Sequence, residues 1–154
     1  MRITIDKARR RLVLRHGRKE LYRCTVQLGS APVGHKRREG DGRTPEGVYY
    51  VCSRNPKSKY HLALGLSYPN EKDALAALRE ETIDRETYRR IAGAQQRKVR
   101  PPWDTPLGGW IMIHGEAADG RSGDWTAGCI AVKNDDMDRL FRCGMIGLRV
   151  VIRR

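Results

Sequence analysis

Alternating apolar and polar residues mark the two ends of the chain and predict short strands there. Near the N-terminus the alternation covers three segments joined by basic turns. In the third of these segments Tyr22, Cys24, Val26 and Leu28 share one face, which is typical of a half-buried strand. The predicted strands lie at 2–5, 11–15, 20–28, 48–53, 60–66, 110–113 and 147–152.

Helical patterns occur in the middle of the chain and again after residue 132. Residues 71–80 are strong helix formers that follow Asn70, a residue suited to cap a helix. A second helix is predicted over 84–92, before a proline-broken stretch, and a short third helix is predicted to start with Asn134 or Asp135 as its cap. The pattern therefore predicts a mainly β domain with a helical insertion around 71–100 and a short C-terminal helix.

Length and composition indicate one domain over 1–154, large enough to bury a sizeable core. The chain contains no run of eighteen apolar residues, and its first residues form no signal peptide. Its formal net charge of +13 favours contact with an anionic polymer or surface, such as a wall polymer. The sequence contains no RNA-binding motif and no zinc-finger spacing, so we expect no specific nucleic-acid partner.

Four cysteines stand at 24, 52, 129 and 143, and no two of them form a CxxC pair. This spacing disfavours a structural zinc site and a thioredoxin-like redox site, and no metal or cofactor is predicted. Cys24, Cys52 and Cys143 fall in predicted strands or at a helix end, where a cysteine usually serves as a small apolar residue. The sequence leaves open whether Cys24 and Cys52 form a disulfide.

Cys129 differs from the other cysteines because of its neighbours. It follows Gly128 directly, and fifteen residues upstream an apolar run ends in His114 and Gly115. A thiol is mostly protonated at neutral pH and needs a base such as imidazole to act as a nucleophile. A glycine at 128 allows the amides of Gly128 and Cys129 to approach a substrate oxyanion. Cys129 and His114 are therefore the predicted nucleophile and base.

The residues just before Gly128 allow two interpretations each. The Thr126 hydroxyl either orients the thiol or a substrate carbonyl, or closes a turn by bonding to the backbone. Asp124 and Trp125 either form the floor of the site or serve packing alone.

Residues 111–139 resemble the signature of the L,D-transpeptidase (YkuD-type) catalytic domain family. The resemblance rests on the His114-Gly115 pair, on the segment Thr126-Ala127-Gly128-Cys129-Ile130, and on the helix after them. It extends to the turn Gly42-Arg43-Thr44-Pro45-Glu46-Gly47 and to the last strand. The resemblance implies a β-rich, sandwich-like L,D-transpeptidase fold over most of the chain.

The same resemblance implies acyl transfer on peptidoglycan tetrapeptide stems, without a metal. Cys129 would attack the carbonyl of the third stem residue and expel the terminal D-alanine, and an acceptor amine or water would release the acyl group. His114 would take the thiol proton or stabilise the thiolate, and the amides of Gly128 and Cys129 would hold the oxyanion. Gly115, Thr126, Trp125 and Tyr68 are the predicted substrate-binding residues.

Several further expectations follow from the resemblance. Tyr60, His61, Ser67 and Tyr68 lie on a strand and its exit, where the family places part of the donor cleft, although a strand-face role is the competing interpretation. Carbapenem-type β-lactams are expected to acylate the thiol. The substrate implies work in the periplasm or the cell wall, outside the cytoplasm.

Two positions depart from the commonest family pattern. Ala127 and Ala131 stand where many members carry a histidine and a polar residue. This departure motivates a second hypothesis, an L,D-carboxypeptidase or other hydrolase that uses the same site with water as acceptor. A third hypothesis, which rests on the net charge, is a noncatalytic module that binds polyanions.

Overall fold

The computed structural model describes all 154 residues, and its strands form one curled, eight-stranded sheet. The strand order is β3-β2-β1-β8-β4-β5-β6-β7, with parallel pairing only between β1 and β8 and between β6 and β7. The strands are β1 (Arg2–Asp6), β2 (Arg11–His16), β3 (Lys19–Thr25), β4 (Gly47–Ser58), β5 (His61–Leu66), β6 (Met112–His114), β7 (Ile130–Ala131) and β8 (Arg149–Arg153). The prediction of a mainly β fold is confirmed.

The two outer regions of the sheet meet beside the residues around Cys129. After β3 the chain continues to Gln27, whose amide and carbonyl exchange hydrogen bonds of 2.8 and 2.9 Å with Ala131 of β7. Two residues after Gln27, Gly29 forms a separate, parallel bridge with Thr126. The segment that carries the cysteine is therefore held between β6 on one side and residues 27–30 on the other.

Three helices accompany the sheet: α1 (Glu71–Arg79), α2 (Arg85–Arg97) and α3 (Asn134–Cys143). The first two form the predicted insertion, with Asn70 and Asp84 as side-chain caps, and α2 extends five residues beyond the predicted end. Met137 and Leu140 of α3 belong to a core that also takes Ile3, Leu64 and other strand residues. None of the three helices is long and apolar enough to cross a membrane.

The predicted cap of the third helix is wrong. The N-cap is Lys133, which makes no side-chain cap bond, and Asn134 is already helical. Glu116 serves the helix end instead, because its carboxylate accepts the Asn134 N–H at 2.9 Å while the Asn134 side chain accepts the Glu116 N–H at 2.9 Å. This reciprocal pair ties the turn after His114 to the start of α3.

Candidate active site

His114 ends β6 and is almost fully buried, with 3% of its surface exposed. Its ring stacks on Tyr60, with the centroids 4.4 Å apart, and lies 5.6 Å from the centroid of the Trp125 ring. The Nδ1 atom is 2.8 Å from the carbonyl oxygen of Gly115. Because a carbonyl only accepts hydrogen bonds, Nδ1 carries the proton and Nε2 is the basic nitrogen.

Cys129 lies directly before β7, and its half-buried side chain lines the same cavity as His114. The thiol donates to the carbonyl oxygen of Trp110 at 3.2 Å and accepts the N–H of Met112 at 3.4 Å. Both partners belong to the chain entering β6, so the strand that delivers the histidine also orients the sulfur. The structure thus brings the two predicted catalytic residues to one cavity.

The cavity measures about 580 Å³ and has aromatic walls with cations at its edge. Trp125 forms one wall, where its indole N–H donates to Gln27 at 2.7 Å. Lys59 and Arg121 supply the positive charge, and Arg121 is already paired with Asp119. The full lining is Asn55, Ser58, Lys59, Tyr60, Trp110, Met112, His114, Arg121, Trp125, Thr126, Ala127 and Cys129.

Burial shifts the pKa of each catalytic candidate in the direction that disfavours its charged form. Burial raises the pKa of the Cys129 thiol, and the Met112 N–H and the positive charges of Lys36 and Lys59 offset only part of this effect. Burial also lowers the pKa of His114, where the hydrogen bond to Gly115 acts in the opposite direction. Both shifts favour the uncharged forms, a thiol at Cys129 and a neutral imidazole at His114.

Thr126 closes the turn around Cys129, the predicted nucleophile. Its buried hydroxyl donates to the carbonyl oxygen of Cys129 at 2.7 Å and accepts the N–H of Gly128 at 3.2 Å. Of the two interpretations of Thr126, the structure fits the turn. The N–H of Gly128 is then occupied, which corrects its predicted role at the oxyanion. The N–H of Cys129 has no acceptor in the protein and is available to a substrate oxygen.

Position 128 requires a glycine, both for its backbone conformation and for the space around it. Its φ of +139° disfavours any residue with a side chain, and an added Cβ would lie 2.6 Å from the carbonyl oxygen of Arg43. Arg43 belongs to the 42–47 turn, and Thr44 of that turn accepts the N–H of Gly29 at 3.0 Å. The turn named in the resemblance therefore packs directly against Gly128, next to Cys129.

Two predicted substrate-binding residues lie outside the cavity. Tyr68 is fully buried in the core, where its hydroxyl donates to the carbonyl oxygen of Leu107 at 2.9 Å. Gly115 lies behind His114, with its N–H donating to Tyr60 and its carbonyl accepting from the imidazole. Both predictions are corrected: Tyr68 is a core residue, and the Gly115 carbonyl holds the His114 ring.

Asp124 also has a positioning role. Its carboxylate accepts two hydrogen bonds from Arg10, at 3.0 and 2.7 Å, and one from the N–H of Leu28 at 3.0 Å. Burial alone would raise its pKa, but these bonds outweigh that effect and hold the pKa of Asp124 below its usual value. The carboxylate thereby fastens the segment before Cys129 to the turn between β1 and β2 and to the chain that leaves β3.

Several cavity residues were not predicted from the sequence. Trp110 was placed in a strand, but β6 begins only at Met112, and Trp110 is 60% exposed with a φ of +58°. The preceding pair Gly108-Gly109 is the signal that marks this bend. Lys59 belongs to the turn between β4 and β5, where no local pattern indicates that it lines a cavity.

The two alanines that depart from the family pattern have different positions. Ala127 is exposed and lines the cavity, whereas Ala131 is buried in the sheet between His114 and Gln27. The four cysteines are unpaired, and no three potential metal-ligating side chains converge.

A sequence profile of the L,D-transpeptidase catalytic domain (YkuD) matches residues 1–152. The chain belongs to this family. The L,D-transpeptidase domain of this protein is 28% identical over 116 residues to YafK of Escherichia coli strain K12. YafK itself is named as a provisional L,D-transpeptidase. That match covers 73% of this chain and 32% of YafK, so the chain spans about a third of its curated relative.

Solved structures share the fold of this L,D-transpeptidase domain. The helical cell shape determining protein Pgp2 of Campylobacter jejuni superposes with a TM-score of 0.70 at 22% identity, covering 99% of this chain and 46% of Pgp2. An L,D-transpeptidase from Mycobacterium smegmatis gives a TM-score of 0.56 at 9% identity, covering 99% and 58% of the two chains. The fold is therefore that of the family, on a chain shorter than either neighbour.

Proposed function

We propose that this L,D-transpeptidase domain catalyses acyl transfer on peptidoglycan stem peptides through a thioester on Cys129. The observation that carries the proposal is the shared cavity of Cys129 and His114, together with the Nδ1 contact to Gly115 that leaves Nε2 as the basic nitrogen of the imidazole. A tetrapeptide stem with a terminal D-alanine is the proposed donor. Because that substrate lies outside the cytoplasm, we place the reaction in the periplasm or the wall.

In the first half-reaction His114 Nε2 accepts the thiol proton as Cys129 Sγ attacks the carbonyl carbon of the third stem residue. The N–H of Cys129 donates to the oxyanion that forms. When the tetrahedral intermediate collapses, the C–N bond to D-alanine breaks and His114 returns the proton to the leaving amine. The raised thiol pKa and lowered imidazole pKa favour this general-base route over a preformed thiolate.

In the second half-reaction an acceptor amine attacks the thioester carbonyl while His114 takes a proton from that amine. The C–S bond breaks, and the sulfur regains its proton from His114. A new amide bond joins the two stems.

Hydrolysis by an L,D-carboxypeptidase is the second candidate function. The specific observation in its favour is Ala127, whose small, exposed side chain leaves the cavity edge open where many relatives carry histidine. Water would then replace the acceptor amine, and the product would be a tripeptide stem.

The experiment is incubation of the protein with purified tetrapeptide muropeptides, with and without an added acceptor amine, followed by mass analysis of the products. Cross-linked dimers or amine adducts support the transferase, and tripeptide in both conditions supports the hydrolase. We expect His114→Gln to lower either product by at least about 100-fold. If the folded protein yields neither of these products, the proposal is contradicted.

The same chemistry predicts acylation of Cys129 by carbapenem-type β-lactams, because the strained lactam carbonyl offers the thiol an activated acyl group. A covalent adduct that is absent in Cys129→Ala is the expected result by intact-protein mass.

A further inference from the structure

A second groove lies next to the cysteine cavity and is built by the helical insertion. It measures about 480 Å³ and shares Trp110 with the cysteine cavity, so the two depressions border each other. Its lining consists of Arg90, Ala94, Arg97, Arg100, Pro101, Pro102, Trp103, Asp104 and Trp110.

One wall of the groove is a single face of α2. Arg90, Ala94 and Arg97 are spaced four and three residues apart, which places them on one side of the helix. The helix is fixed to the sheet by Gln95, whose amide donates to the carbonyl oxygens of Ser67 and Pro69 at 2.7 and 2.9 Å. The wall is therefore anchored to the chain that leaves β5, the strand that pairs with β6.

The floor of the groove is a buried tryptophan. Trp103 is 6% exposed, and an added Cβ at Gly65 or Gly109 would lie 3.1 or 2.4 Å from its side chain, so only glycines admit it there. Its indole N–H is buried and has no acceptor in the protein. A buried N–H without an acceptor is uncommon in folded proteins.

Exposed aromatic surface and unpaired positive charge meet above this floor. The Arg100 guanidinium lies 5.0 Å from the Trp103 ring centroid and 5.9 Å from that of the exposed Trp110. None of the three lining arginines forms an ion pair, whereas the buried Lys7 and Lys36 each bind a carboxylate. Asp104 is the one carboxylate in the lining, so the groove keeps a net positive charge.

We propose that this groove, which we call the arginine groove, binds carboxylate groups of the peptide stem whose reacting end occupies the cysteine cavity. A guanidinium binds a carboxylate through two parallel hydrogen bonds, and an indole face accepts the adjoining apolar atoms of a peptide. The border at Trp110 lets one extended peptide reach both depressions. This inference rests on the proposed function for the identity of the ligand.

The test measures binding without turnover, so that it does not depend on catalysis. The Cys129→Ala protein is titrated with a tetrapeptide muropeptide and with the same muropeptide after amidation of its free carboxylates, by calorimetry. Arg97→Gln with Arg100→Gln, in the same background, should weaken binding of the unmodified peptide about tenfold or more. The amidated peptide should bind weakly to both proteins, with little difference between them.

Arg89→Gln is the matched control, because Arg89 lies on the same helix, is exposed and does not line the groove. It removes one positive charge and should leave peptide affinity unchanged. The alkylation rate of Cys129 by iodoacetamide, measured with Cys129 restored, should stay the same in the groove variants if the catalytic cavity is intact.

Three results would overturn the inference. The first is equal affinity in the groove variants and the control. The second is an equal loss in Arg89→Gln, which would indicate general charge attraction. The third is displacement of the peptide by a phosphodiester wall polymer through the same arginines, which would assign the groove to that polymer. Failure of muropeptide turnover together with intact, arginine-dependent binding would contradict the proposed function alone.

Discussion

At the scale of single residues, Cys129 and His114 line one cavity, and burial favours the uncharged form of each. The Nδ1–H of His114 is engaged by Gly115, which leaves Nε2 to accept a proton. The sulfur is held by Trp110 and Met112 rather than by a cation in direct contact. In the proposed mechanism the sulfur therefore becomes a strong nucleophile only as the imidazole removes its proton.

This arrangement predicts the pH dependence of thiol reactivity. Because burial raises the pKa of Cys129, its alkylation by iodoacetamide should accelerate with pH up to and beyond the ordinary thiol range, without a plateau near neutrality. The measurement is the alkylation rate against pH by mass spectrometry, with Cys129→Ala to subtract the other three cysteines. A plateau below pH 7 would instead indicate a preformed thiolate.

Gly128 provides a second test at the residue scale. Gly128→Ala should destabilise the fold by about 1–3 kcal/mol, because the new Cβ meets Arg43 and the backbone has a positive φ. Gly17→Ala is the matched control, since Gly17 also has a positive φ but no atom within 4 Å of an added Cβ. Urea unfolding should show the larger loss for Gly128→Ala, and equal losses would show that the packing against Arg43 is unimportant.

At the scale of elements, the segment 124–131 is held in place by long-range bonds to the N-terminal strands and the residues after them. Arg10 and Leu28 bind Asp124, Gln27 binds Trp125, and Gln27 also pairs with Ala131. A site formed by an irregular segment gains rigidity when its backbone is fixed from both sides. The N-terminal part of the chain thereby supports the segment that carries Cys129.

Asp124→Asn tests this support. It should lower the free energy of unfolding by about 1–2 kcal/mol near neutral pH, because the charged hydrogen bonds to Arg10 are weakened. The folded-state pKa of Asp124 is depressed, so its contribution is present above the unfolded pKa of about 3.9 and is lost as pH falls through the folded value.

Asp119→Asn is the control for this prediction, because Asp119 forms a fully exposed pair with Arg121 on the same loop. Thermal unfolding at several pH values should show no measurable change for the control. A difference between Asp124→Asn and the wild-type protein that persists at low pH would contradict the account.

The elements were largely predictable from the sequence because alternation and caps are local signals. The first two strands, α1 and the start of α2 agree with their predictions to within a residue. Non-local features were missed. The cap of α3 comes from Glu116, eighteen residues before Asn134. Tyr68 follows β5, and whether its side chain points into the core or towards the cavity depends on packing in the folded protein.

The candidate site was predictable in part, because its histidine and cysteine motifs are also local signals. The histidine and cysteine motifs are short and distinctive, and both residues line one cavity. The occupation of the Gly128 N–H depends on the rotamer of Thr126, and the exposure of Trp110 depends on where β6 begins. Neither follows from residue type and spacing.

At the scale of the whole molecule, the net charge of +13 is the dominant feature of the surface. Most of the basic side chains are exposed, whereas Lys7 and Lys36 are buried and hold the 29–47 loop through its carbonyl and carboxylate groups. The exposed charge favours contact with an anionic wall polymer, in agreement with the proposed place of action.

This surface charge predicts salt-dependent wall association. Binding of the protein to isolated peptidoglycan with attached anionic polymer should fall at least about tenfold between roughly 50 and 200 mM salt. A sedimentation assay measures it, with polymer-free peptidoglycan as the comparison. Association that is insensitive to salt would mean that the charge does not contribute, and that apolar or hydrogen-bonded contacts carry the binding.

A thioester on Cys129 is the covalent intermediate of the proposed reaction, and intact-protein mass spectrometry detects it. The folded protein is mixed with a tetrapeptide muropeptide and quenched in acid within seconds. We predict a mass increase equal to the muropeptide minus its terminal D-alanine, mapped to Cys129 and absent in Cys129→Ala. Release of D-alanine with no adduct at any quench time, or an adduct of equal yield in Cys129→Ala, would contradict a thioester on Cys129.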